Sequence, residues 1–64
     1  MELTITKGQN GLTYAASNDI NEVRSALLMR GFRCDQRRGW VRDADNAVSA
    51  IFYTDNRWTA VVDQ

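Results

Sequence analysis

Cys34 is the only thiol in the sequence, and it stands among arginines. The stretch RGFRCDQRRGW, residues 30–40, holds four arginines, the cysteine and one of the two tryptophans. Guanidinium neighbours are the setting that lowers a cysteine pKa and makes it a nucleophile. Nucleophilic catalysis also asks for a base, and the sequence has no histidine, which excludes Ser/His and Cys/His pairs. As a small apolar filler on the inward face of a strand, Cys34 needs no such help. Asp43, Asp45 and Asp55 offer oxygens to a hard cation, but their spacing lacks the calcium-loop pattern, and turn-capping accounts for all three. A single cysteine makes neither an internal disulfide nor a zinc cluster. Gly8 and Gly11 frame a turn with no helix behind it, so they are not a phosphate loop. The inventory predicts no enzyme, no cofactor and no metal, and leaves the arginines and aromatics as binding groups.

Those groups are unevenly placed. The chain carries 8 basic and 8 acidic residues, a net charge of zero. Within residues 30–42, Arg30, Arg33, Arg37, Arg38 and Arg42 face Asp35 alone, a local excess of +4 on a body of −4. A global field of either sign, as a DNA mimic or a non-specific nucleic-acid binder would need, is missing. The 64 residues are read as one domain, 1–64, small enough to bury only ~60% of the unfolded surface. An unpaired cysteine suits a reducing compartment. The opening MELTITKGQNG lacks the basic and apolar regions of a signal peptide, and no stretch approaches a membrane span. The expected setting is cytoplasmic, in a bacterial host, with no membrane partner.

The elements that position these residues follow from periodicity. Alternation predicts strands near 2–7 and 11–16 around an Asn10-Gly11 turn. Residues 18–30 form the one convincing helix. Asp19 and Glu22 resemble a capping box, with Ser17 and Asn18 as alternative caps. Ile20, Val23, Ala26 and Leu27 make its apolar stripe, Met29 falls opposite, and Gly31 is placed to end it in the left-handed conformation. A second hairpin follows, turning within Asp35–Gly39. In the last third, either Ala47, Val48, Ile51 and Phe52 make a short helix face, or AIFYT and RWTAVV flank an Asp55-Asn56 turn. The β-branched and aromatic content favours the hairpin. The fold class expected is α+β: an antiparallel sheet built of hairpins with one helix packed on one face. The helix is too small to cover both faces, so one sheet face is left to solvent or a partner.

Register decides what the arginine hairpin presents. With Arg33 opposite Trp40, the residues Phe32, Cys34 and Val41 point inward, and Arg33, Trp40 and Arg42 share the outer face. A shift of one pairs Cys34 with Trp40 and turns Trp40 into core. Arg37 and Arg38 are exposed at the loop in both. In the last hairpin Tyr53 opposes Trp58, a candidate aromatic patch of the residue types found at interface hot spots. The candidate partner-binding residues are thus Arg33, Arg37, Arg38, Trp40, Arg42, Tyr53 and Trp58.

The segment LLMRGFRCDQRRGWV resembles a motif of small helix-plus-hairpin accessory domains attached to mobile-element and DNA-processing proteins. Gly31, Phe32, Arg33, Asp35, Arg38 and Trp40 carry the resemblance, within residues 20–42. Cys34 stands where that family usually has a large aromatic, and no proline follows Trp40. The resemblance implies a phage or plasmid context and a non-catalytic module. By size and character the chain also resembles very small phage-encoded inhibitors such as anti-CRISPR proteins. The function expected is a non-enzymatic interaction protein that binds and blocks a host protein or ribonucleoprotein complex. The alternatives are a nucleic-acid-binding module whose arginines contact phosphates, and a homo-oligomeric structural domain. Either a monomer or a small homo-oligomer is compatible with the pattern.

Overall fold

Five of the connections carry residues in the left-handed conformation, at Gly11, Gly31, Gly39, Asn46 and the Asp55-Asn56 pair. The structure, a computed structural model, describes residues 3–63. Within them run β1 (Thr4–Lys7), β2 (Thr13–Ser17), α1 (Ile20–Met29), β3 (Arg33–Asp35), β4 (Gly39–Arg42), β5 (Ala47–Ser49), β6 (Ile51–Thr54) and β7 (Arg57–Asp63). Residue 2, expected to open the first strand, lies outside the described residues.

The α+β class is as expected, but the hairpins make two antiparallel sheets instead of one. Four strands are ordered β1-β2-β7-β6, and three are ordered β3-β4-β5. The division falls at Ala50. Before it the chain pairs with β4, and after it with β7. Ser49, buried at this corner, donates its hydroxyl to the Val61 carbonyl at 2.6 Å, which ties the smaller sheet to the larger.

The last third is the hairpin and not the helix. Asp55 and Asn56 adopt φ of 53° and 62°, the paired left-handed conformation of a two-residue turn whose twist suits the flanking strands. Tyr53 pairs with Trp58 and Ile51 with Ala60, as the alternation requires.

The helix begins with a modified capping box. Asp19 caps it, its carboxylate accepting the Asn21 N–H at 2.9 Å. Glu22 does not reach the Asp19 amide. Instead the Ser17 hydroxyl accepts that amide at 3.0 Å and donates to Glu22. The serine relays what a capping box makes directly. At the other end Gly31 takes φ 87°, its N–H reaches the Leu28 carbonyl, and the Phe32 N–H reaches Leu27. These two bonds are a Schellman closure, and Phe32 and Leu27 meet in the core as that motif favours. Arg30, expected in the last turn, is the C-cap residue.

Packing then follows the stripe. Val23, Ala26 and Leu27 press on Ala15, Ala60 and Val62 of the larger sheet, with Phe32 closing the cluster. Small alanines in the two central strands let the helix approach closely. Trp40, Ala47, Ile51 and Trp58 pack around the margin of this core. The opposite face of the larger sheet carries Thr6, Tyr14, Thr59 and Phe52 and has no helix over it. Among the described residues no helix is long and apolar enough to cross a membrane.

Candidate partner-binding surface

The arginine hairpin is shaped by one carboxylate. Asp35 Oδ1 accepts the backbone N–H groups of Arg37 and Arg38 at 2.8 and 3.0 Å, which starts the turn at Asp35. Those two amides hold the Asp35 carboxyl below the usual range near 3.8. Gly39 closes the turn with φ 86°, completing a three-residue loop. Asp35 therefore pairs with Gly39, Cys34 with Trp40 and Arg33 with Val41.

Two expectations are settled by this register. Trp40 is half-buried against the core, so it is not the free stacking platform that the other register would make. Cys34 shares Trp40's face but sits on the edge strand β3 and is exposed, so it is not the inward filler expected. Phe32 and Val41 are buried, at 4% and 1% exposure, although they do not oppose each other.

The isolated +4 patch does not survive folding either, because the distant Asp43 and Asp63 and the nearby Asp45 close on it. Arg33 makes a two-pronged contact with Asp43, at 2.8 and 3.2 Å, and also lies 3.6 Å from Asp35. Arg42 grips Asp45 and comes within 3.8 Å of Asp63, which also meets Arg30 at 3.3 Å. These contacts hold the Asp43 and Asp45 carboxyls below their ordinary value and raise the Arg33 and Arg42 guanidiniums. Arg33 pairs with Val41 and turns to Asp43, so it does not share an outer face with Trp40. The guanidinium–ring contact that forms is Arg42 over Phe32, 4.7 Å from the ring centre.

Arg37 and Arg38 are what remains for a partner. Among the described residues Arg37 has no side-chain partner, and Arg38 touches only Asp35, at 3.5 Å, with Asp43 acting on it through space. Arg38 stands at the rim of a cleft between the two sheets. Leu12, Val61 and Phe52 form its wall on the larger sheet, and Val48 and Ala50 its wall on the smaller. Val48 and Phe52 are 54% and 44% exposed, high for apolar side chains. Sequence reading had no means of bringing Val48 to this wall, because it arrives by the corner at Ala50.

Tyr53 and Trp58 lie apart from this cleft, on the helix-bearing face. Their rings meet edge to face with centroids 4.9 Å apart; Tyr53 is exposed and Trp58 packs against the core margin. The seven candidate residues thus do not form one surface. A second groove of similar size runs beside the helix between Leu3, Ala26 and Met29, the last 87% exposed as its position opposite the stripe requires.

Among the described residues no three Cys, Asp or Glu side chains converge on a point that could hold a metal ion. Every buried side-chain polar atom among them has a partner. What the fold defines is a small α+β domain with an apolar cleft and a cationic rim. No protein-family model matches the chain, and no curated protein or solved structure is significantly similar to it.

Proposed function

We propose that this chain is a non-enzymatic interaction protein that binds and occludes a surface on a host protein or ribonucleoprotein, in the cytoplasm of a bacterial cell. The observation that carries this reading is the cleft between the sheets, where exposed Val48 and Phe52 stand beside the incompletely paired Arg38. Apolar side chains left uncovered next to arginine have the composition of a binding-site centre and its rim. The phage or mobile-element setting is supported by the resemblance of residues 20–42. Arg33 and Arg42 act within the fold in this reading, holding turns, and the partner meets Arg37, Arg38 and the cleft.

Affinity capture from bacterial lysate, with and without nuclease, tests it. The comparison is the unaltered chain against Val48→Asp/Phe52→Asp, each first checked for folding by circular dichroism. Loss of the captured protein with the double variant is expected, whether or not nucleic acid is present. Capture that survives both this variant and Arg37→Ala/Arg38→Ala would show that the partner binds elsewhere.

A further inference from the structure

We infer that the cleft takes an extended acidic segment of a partner protein, with an apolar side chain against Leu12, Phe52 and Val61 and the adjoining carboxylate held by Arg38 and Arg37. This rests on the binding reading above and specifies its ligand.

Charge carries the argument. Arg38 is the one charged residue among those that line the cleft, and no carboxylate lines it. The nearest acidic group on its own hairpin, Asp35, is already committed. One of its oxygens accepts two backbone amides, and the other lies 3.5 Å from Arg38 and 3.6 Å from Arg33. Both ion contacts are longer than the ~2.7–2.9 Å of a charge-assisted hydrogen bond. Arg37 beside it has no acidic partner among the described residues. Arg38 thus has one half-engaged carboxylate at contact distance and Asp43 only through space, and the Arg37 guanidinium has neither, whereas Arg33 and Arg42 each hold an aspartate with both prongs. A planar fork without its anion is matched by a carboxylate from outside.

The walls decide between kinds of partner. Leu12, Val48, Ala50 and Val61 are aliphatic, and Phe52 is the single ring. Nucleic acid tracking would need several cations along a path and aromatic faces for successive bases. An aliphatic or aromatic residue next to Asp or Glu satisfies the cleft and its rim together.

Titration of the isotope-labelled full chain by NMR tests the inference. The probes are a blocked hexapeptide of alternating leucine and glutamate, its leucine–glutamine and leucine–lysine counterparts, and octathymidylate. The leucine–glutamate peptide is expected to shift the amide signals of Leu12, Arg38, Val48 and Phe52 while leaving Val23 in place. The glutamine peptide should bind about tenfold more weakly, the loss of one charge-assisted pair. Arg37→Gln/Arg38→Gln should erase that preference. Equal binding of the glutamine peptide in the cleft overturns the inference and leaves the binding reading standing. Shifts from octathymidylate in place of the peptide overturn it in favour of phosphate recognition. If no probe moves the cleft signals, the acidic-segment ligand is wrong. The cleft as the binding site falls only if lysate capture survives both the cleft and the arginine substitutions.

Discussion

Arg42 grips Asp45 with both prongs of its guanidinium, Nε to Oδ1 at 3.1 Å and Nη2 to Oδ2 at 2.9 Å, across the turn joining β4 to β5. The same group donates to the Arg30 carbonyl at 3.1 Å and lies over the Phe32 ring. Its side chain is only 17% exposed, while that of Arg38 is 52% exposed. One residue therefore fastens the end of the helix, a turn and a core aromatic. Arg42→Ala should lower the thermal midpoint clearly, and Arg38→Ala should hardly move it. Arg42→Lys should not restore the midpoint, because an ammonium cannot span both carboxylate oxygens. Thermal unfolding followed by circular dichroism measures all three; equal midpoints for the Arg42 and Arg38 variants would rule out the fastening role.

The relay at the helix start makes a similar claim on Ser17. That side chain is fully buried, accepts the Asp19 amide and donates to Glu22. Ser17→Ala leaves an amide without its acceptor and a carboxylate without its donor, at a cost of about 1–2 kcal/mol. Glu22→Gln retains an oxygen that can accept from the hydroxyl and should cost less. Urea unfolding of both variants at neutral pH gives the comparison. A Ser17→Ala chain as stable as the parent would mean that the relay contributes nothing.

Three carboxylates give the fold an acid-sensitive side. Asp35, Asp43 and Asp45 are held below their ordinary pKa near 3.8, the first mainly by backbone amides and the others mainly by hydrogen bonds from Arg33 and Arg42. A group whose pKa is lower in the folded state binds protons more readily when unfolded. Its contribution is complete above the unfolded value and is lost as pH falls through the folded one. Stability should hold flat from neutral pH to about pH 5 and decline below about pH 4. Asp35→Asn/Asp43→Asn/Asp45→Asn should flatten that decline, and urea midpoints across the range will show it. The effect at Asp43 should also shrink with added salt, since this pair is open to solvent.

Local signals were legible in the sequence and distant ones were not. Gly31 and the Asp55-Asn56 pair announce their left-handed backbone by residue type, so the helix end and the last hairpin could be read directly, with the Tyr53–Trp58 pairing. The counterions of the arginines were invisible for the opposite reason. Asp43 lies ten residues from Arg33 and Asp63 lies 33 from Arg30, distances that only the fold closes. The corner at Ala50 carries no glycine or proline to mark it. Trp40 turned on a third kind of information, the choice of Asp35 to bond two backbone amides.

The turn at Asp55-Asn56 can be tested at its stricter residue. Asn56 holds φ 62°, where a β-branched side chain collides with its own backbone. Asn56→Val should cost about 1–2 kcal/mol, whereas Asn56→Gly should be neutral or slightly stabilising. The pair of substitutions separates backbone strain from any contact of the asparagine side chain. Equal losses for both would assign the effect to that side chain.

Cys34 offers the sharpest check on the hairpin register, because the two registers give it different accessibility. Paired with Trp40 and exposed near the turn, its thiol should react with an aromatic disulfide reagent in the native state. The rate should lie within about tenfold of that in denaturant, since no unfolding need precede the reaction. An inward thiol, as the register with Arg33 opposite Trp40 requires, would react only through opening. For a fold of ordinary stability its rate would fall by on the order of a thousandfold or more. Tryptophan fluorescence, from Trp40 and Trp58 together, distinguishes direct modification from unfolding: the thiol should be consumed while the emission still reports half-buried indoles. Slow modification in step with loss of that emission would place Cys34 inside and turn the arginine hairpin over.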